Sequence, residues 1–203
     1  MGVASRGRGM GTHMSDDKSD EQSQDETEET QDEKSGGHNL FVRDTKSDGR
    51  PVVLIHGWPL SSESWSEQIP KLRDDGFRVV AYDRRGFGQS DPGDSYGYDD
   101  LADDLDNVLS DLDLNDVTLV GFSMGGGEVA RYFTKYGSDR IHSAVFVAAV
   151  PPYLLKSDDN PDGPLTEDMA GEWEQAINDD IDGFYDEFIT TFRGAAPTGP
   201  GVV

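Results

Sequence analysis

Cysteine is absent from the sequence, which excludes disulfides, thiolate nucleophiles and Cys-ligated zinc or iron–sulfur sites by inventory. Lysine is scarce as well, with 6 against 29 aspartates. In all, 17 basic side chains face 41 acidic ones, a formal net charge of −24 over 203 residues. Phosphate backbones and anionic membrane surfaces are bound through Lys and Arg, so this chain is repelled by both, and nucleic-acid and membrane partners are excluded. No apolar run approaches the ~18–20 residues of a membrane helix, and no apolar segment of a secretory signal opens the chain. Cytoplasm is therefore the expected compartment. Hydrophobic residues make up 34% of the sequence, enough for the core of about one domain.

What is present divides into four stretches. Residues 1–38 are rich in Asp, Glu, Ser, Gln and Thr and hold no aromatic residue. Such a composition cannot offset its ordering entropy, so a disordered acidic arm is expected, either a solvating tail or one that binds a partner. Residues 39–150 alternate short β-branched runs with amphipathic stretches. The strand runs are Asn39–Val42, Val52–His56, Arg78–Tyr82, Val117–Gly121 and His142–Val150, and the last four are close to continuously apolar, as a parallel sheet covered on both faces requires. Helices are expected over Ser62–Asp75, with Trp65, Ile69 and Leu72 inward, over Asp99–Asp111, with Leu101, Leu105, Val108 and Leu109 inward, and over Met124–Tyr136. This order predicts right-handed βαβ units. Residues 151–193 carry two apolar stripes, Met169, Trp173 and Ile177, then Ile181, Phe184, Phe188 and Phe192, expected to form a helical cap. Residues 194–203 form a Gly/Pro/Ala tail without a fold signal.

The charge outside the arm is also strongly negative. Self-repulsion of that size opposes a compact state and is screened when the Debye length falls from ~10 Å at 0.1 M salt to ~3 Å at 1 M. Adaptation to a high-salt cytoplasm is the expectation.

Chemistry concentrates at three strand ends. Gly121-Phe122-Ser123-Met124-Gly125 fits G-x-S-x-G between a strand run and a helix run, the setting of a nucleophile elbow. Its two glycines permit a sharp turn around Ser123, whose alternative role is that of a helix N-cap. His56-Gly57-Trp58-Pro59 ends another strand on the same edge of the sheet. The backbone amides of Trp58 and Met124 are the natural donors to a tetrahedral oxyanion. His56 is read as a hydrogen-bonding group that shapes this loop, not as a catalytic base. The third end, Tyr82-Asp83-Arg84-Arg85-Gly86-Phe87-Gly88, is a tight turn in which Asp83 and the arginines, Arg84 and Arg85, are expected to tie loops together and not to touch substrate, a buried Asp–Arg pair at a turn being a common structural device.

The ordered set H-G-W-P-L, Y-D-R-R-G-F-G-Q-S and D-V-T-L-V-G-F-S-M-G-G-G, with A-V-P-P and N-P-D-G further on, resembles the α/β-hydrolase superfamily, and within it the cofactor-free (non-haem) chloroperoxidase and aryl-esterase branch. The resemblance spans about residues 39–193. It implies an α/β-hydrolase fold with a small helical cap, incomplete at its C-terminal end, and a serine hydrolase that forms an acyl-enzyme on Ser123 without haem, metal or other cofactor. Its substrate would be a small ester or carboxylic acid. Water as acceptor gives hydrolysis, and hydrogen peroxide gives a peracid.

In that superfamily the acid and the histidine of the triad follow the cap. The histidines here are 13, 38, 56 and 142. His142 opens the last strand run, which puts it ~23 Å from the catalytic edge at ~3.3 Å per residue. A serine without its base retains only ~10³–10⁴ of rate over water, so weak or absent activity is expected. The last strand run would also be an open apolar edge over residues 141–150, prone to pair with another chain or with itself. Three readings stand: a hydrolase recorded without its final third, half of a split enzyme completed by a second chain, or a non-catalytic binding module.

Overall fold

The computed structural model describes residues 31–35, 39–150 and 154–194, the first stretch and residues 192–194 by backbone alone. In chain order the elements are β1 (Gln31–Ser35), β2 (Leu40–Asp44), β3 (Pro51–Ile55), a 3₁₀ turn (Ser62–Trp65), α1 (Gln68–Asp74), β4 (Arg78–Tyr82), α2 (Tyr98–Asp111), β5 (Val117–Phe122), α3 (Met124–Tyr136), β6 (Ile141–Val147), α4 (Glu167–Asp179) and α5 (Ile181–Gly194).

The strands make one sheet in the order β1-β2-β4-β3-β5-β6. β1 and β2 run antiparallel to their neighbours, whereas β4, β3, β5 and β6 are parallel. From β3 the chain first adds β4 on one side, then crosses back to add β5 on the other. That reversal opens a crevice at the carboxyl ends of β3 and β5, the place where open α/β sheets take their ligands.

Period-two alternation splits the core between the two faces. Val53, Ile55, Val80, Tyr82 and Leu119 pack with Leu105, Val108 and Leu109 of α2 and with Val129 and Tyr132 of α3. On the opposite face Val52, Leu54, Val79 and Ala81 meet Ile69 of α1, with Trp65 and Leu72 at the margin.

Several expectations are corrected. The helix predicted over 62–75 is two pieces, because Pro70 has no N–H to donate and is tolerated only in the first turn of α1. The last strand stops at Val147: Ala148 takes φ 43° and the Val150 amide turns back to the Ser123 carbonyl at 3.2 Å. β6 is not covered like the inner strands, since among the described residues it has β5 on one side only and leaves Val145 and Phe146 43% and 50% exposed. Within the stretch expected to be an unstructured arm, Gln31–Ser35 form β1, paired along β2 from Gln31–Asp44 to Ser35–Leu40. Backbone pairing to an available sheet edge needs no apolar side chains. The rest of the arm, and the tail beyond Gly194, lie outside the described residues. In the cap, Met169 and Ile181 stay exposed at the ends of their stripes. None of the described helices is long and apolar enough to cross a membrane.

Candidate active site

Ser123 joins β5 to α3 with φ 53° and ψ −117°, a sparsely populated conformation for a residue with a side chain. It stands at the N-cap position, yet its hydroxyl makes no capping bond, so an ordinary N-cap serine is not what the turn holds. The bend needs glycine on either side. A Cβ on Gly121 would lie 2.6 Å from the Gly125 carbonyl oxygen, and one on Gly125 would lie 2.6 Å from that of Ile55. The strained residue is pinned through its backbone: the Ser123 N–H donates to the Val147 carbonyl at 2.9 Å, and its own carbonyl accepts from Gly126 at 3.0 Å and from Val150 at 3.2 Å.

The loop after β3 meets this turn. A Cβ on Gly57 would approach the Phe122 ring to 2.9 Å and the Ser123 Cβ to 3.1 Å. His56 is fully buried. Its Nε2 accepts the Arg84 backbone N–H at 3.1 Å, so the proton sits on Nδ1, which donates to the Gly57 carbonyl at 2.9 Å. That carbonyl also accepts the Leu60 N–H at 3.0 Å. Because a peptide is planar, two bonds on the Gly57 oxygen set the direction of the Trp58 N–H across the same peptide. Among the described residues neither this N–H nor that of Met124, the first amide of α3, has a hydrogen-bond partner. Burial, reinforced by the Arg84 charge, lowers the His56 pKa to about 4, so the imidazole is neutral at pH 7.

Beneath lies a buried ion pair that sequence reasoning missed. Arg84, fully buried, donates from Nε to Glu128 of α3 at 2.6 Å and from Nη2 to the His56 carbonyl at 2.5 Å. The Tyr82 hydroxyl donates to the other Glu128 oxygen. Burial pushes the Glu128 carboxyl above its ordinary value, against the pull of Arg84 and Tyr82. One guanidinium thus joins the ends of β3 and β4 to the helix that follows Ser123. Asp83 and the two arginines do tie loops together, though not through an Asp83–Arg pair. Asp83 instead accepts the backbone amides of Ser62 at 2.6 Å and Gln89 at 2.8 Å, while Arg85 forks onto Asp104 at 2.6 and 2.7 Å. A carboxylate directly after a strand is better placed to gather loop amides than to reach its neighbour's side chain. Glu128 was open to detection, because Gly125, Glu128, Val129 and Tyr132 share the buried stripe of α3. A charge on such a stripe requires a partner.

Above Ser123 is a cavity of about 590 Å³. Trp58, Phe122, Ser123 and Met124 line it together with Tyr98, Val150 and Leu155, and Trp173, Phe188 and Ile189 of the cap line it as well. None of its lining residues is charged. The two described histidines do not serve Ser123 as a base. Both ring nitrogens of His56 are committed, and His142, at the far end of β6, binds Asp116 and Arg50 at 3.0 Å each. Five residues separate His142 from Val147 beside Ser123, roughly 17 Å of strand. His13 and His38 lie outside the described residues.

A family model described as the alpha/beta hydrolase fold matches residues 50–196. A non-heme chloroperoxidase of Kitasatospora aureofaciens is 47% identical over 157 residues, 73% of this chain and 57% of that protein. A bifunctional esterase/perhydrolase of Acinetobacter calcoaceticus is 43% identical over 129 residues, 63% of this chain and 47% of its own length. The crystal structure of a bromoperoxidase from Bacillus anthracis superposes with a TM-score of 0.71 at 48% identity, covering 78% of this chain and 58% of that one. The chain therefore spans about half the length of the relatives it matches. By the matched family model, the order of its strands and the strained serine between β5 and α3, the chain belongs to the α/β-hydrolase family.

Proposed function

We propose that this chain carries the nucleophile half of a cofactor-free serine hydrolase akin to the non-heme chloroperoxidases and esterases. Ser123 Oγ attacks the carbonyl carbon of a small ester or carboxylic acid, and the Trp58 and Met124 amides donate to the oxyanion that forms. An alcohol or water leaves to give the acyl-enzyme. Water then regenerates a carboxylic acid, or hydrogen peroxide carries the acyl group off as a peracid. His56, Gly57, Gly121, Gly125 and Arg84 shape this arrangement, and Asp83 braces the loops beside it.

The observation that carries the reading is the positive-φ serine opening on an uncharged cavity beside two unpartnered amides. Preorganised donors of this kind are worth about 3–4 kcal/mol each in a transition state. The general base is not among the described residues. Hydrolysis by the chain alone is therefore weak, and imidazole added to the buffer raises it by supplying the missing base.

The test is p-nitrophenyl butyrate hydrolysis by the wild type and by Ser123→Ala, with and without imidazole, the difference between the two proteins isolating the Ser123-dependent rate. A Ser123-dependent difference that imidazole enlarges supports the reading. Equal rates in the two proteins overturn it.

The exposed apolar edge of β6 favours a second reading, in which a separate chain supplies the further strands and the base. Self-association through residues 141–150 is its competitor, and sedimentation of the chain alone separates the two.

A further inference from the structure

We propose that the Trp58 side chain is the latch through which the helical cap positions the Trp58 amide, with Trp173 and Phe188 as positioning residues. The inference rests on the reading of that amide as an oxyanion donor. Trp58 occupies two structures at once. Its backbone belongs to the turn from Gly57 to Leu60, while its indole leaves the core and enters the cap.

There Trp173 of α4 lies parallel to it, at 5.9 Å and 4°. Phe188 of α5 meets it edge-on at 5.2 Å and 84°, and Phe184 lies at 5.9 Å and 62°. The three cap rings also contact one another at 5.8–6.3 Å, so they form one aromatic socket. α4 buries no residue fully. The Trp58 indole is the ring outside the cap that this socket holds, and in the reading proposed above the N–H of the same residue is a donor to the oxyanion. Lifting the socket releases Trp58, and the peptide between Gly57 and Trp58 is then held only by the bonds to the Gly57 oxygen. A ligand entering the cavity touches Trp173 and Phe188 directly, so occupancy of the cavity and orientation of the donor are coupled.

An aromatic pair shifts an opening equilibrium by roughly two- to tenfold. Amide hydrogen exchange reads this without catalysis. The reporter is Leu60, whose N–H closes the turn on Gly57, and the control is Thr45, whose N–H bonds Val79 in the sheet at 3.0 Å. In Trp173→Ala, Leu60 should exchange roughly two- to tenfold faster with Thr45 unchanged. The Trp58 indole resonance should shift while that of Trp65 stays in place, and Trp173→Phe, which keeps a ring, should restore most of the protection. Phe188→Leu, which keeps apolar volume but loses the edge contact, should fall between wild type and Trp173→Ala. Unchanged Leu60 exchange in both Trp173→Ala and Phe188→Leu overturns the latch. So does acceleration of Leu60 and Thr45 in step, which would make these residues props of the whole fold. Failure of the Ser123 rate assay would instead strike the hydrolase reading and leave the exchange result intact.

Discussion

Acidification should destabilise this protein through one imidazole. His56 satisfies both its partners only as the neutral Nδ1–H tautomer, and a second proton would point from Nε2 at the Arg84 N–H. Its pKa falls from 6.5 in an unfolded chain to about 4 when folded. Between those values the unfolded state binds the extra proton, so stability is complete above pH 6.5 and is lost as pH falls toward 4. The difference of about 2.5 pH units corresponds to roughly 3 kcal/mol in all, of which about 2 kcal/mol is lost between pH 7 and pH 4.5. Acid also relieves the repulsion among 41 carboxylates, which works in the opposite direction, so the wild type alone does not isolate the effect. Urea denaturation of wild type and His56→Asn at pH 7, 6, 5 and 4.5 does, because the stability difference cancels the shared carboxylate contribution. That difference should shrink by about 2 kcal/mol or more toward pH 4.5, with its steepest change near pH 5. Nitrogen NMR at pH 7 should find the ring proton on Nδ1. A pH-independent difference, or a proton on Nε2, would refute the assignment of His56 as a neutral strut beneath the Trp58 peptide.

Ser123→Gly should stabilise the fold by about 1–3 kcal/mol in urea, since glycine relieves the positive-φ strain, while abolishing the Ser123-dependent ester hydrolysis. Glu128→Leu should cost about 3–5 kcal/mol because it strands the fully buried Arg84, and a double replacement of Arg84 and Glu128 by Met and Leu should cost less than this single change; a denaturation cycle checks both. Raising salt from 0.1 M to 3 M should raise the melting temperature, as screening suppresses the repulsion of a −24 chain. Equal melting temperatures at the two salt concentrations would defeat the high-salt expectation.

The legible parts of the site were those governed by short-range rules. G-x-S-x-G between a β-branched run and a helix run can be read locally, because the glycines admit backbone within 2.6 Å on both sides of Ser123. The loop from His56 to Pro59 was legible for a similar reason, following directly from the end of β3. The network below was not, since Arg84 and Glu128 stand 44 residues apart, and only the crossover from β4 through α2 and β5 to α3 brings them together. That Asp83 and the arginines tie loops together was legible, but their individual partners were not, since the turn geometry offered Asp83 the amides of Ser62 and Gln89. Trp173, Phe184 and Phe188 of the two apolar stripes gather around Trp58, and nothing in the periodicity of the stripes pointed to Trp58 as what they cover.

By itself the amino-acid order determined the alternation of strands and helices, the bend at Ser123 and the sign of the surface charge, because each follows from neighbouring residues, side-chain periodicity or composition. Tertiary structure decided which strand ends meet. It placed β3 between β4 and β5, brought Trp58, Ser123 and Met124 to the lining of one cavity, and left β6 with an open edge among the described residues. Pairing partners and buried charges are settled by packing across long sequence separations, where no local pattern carries the information.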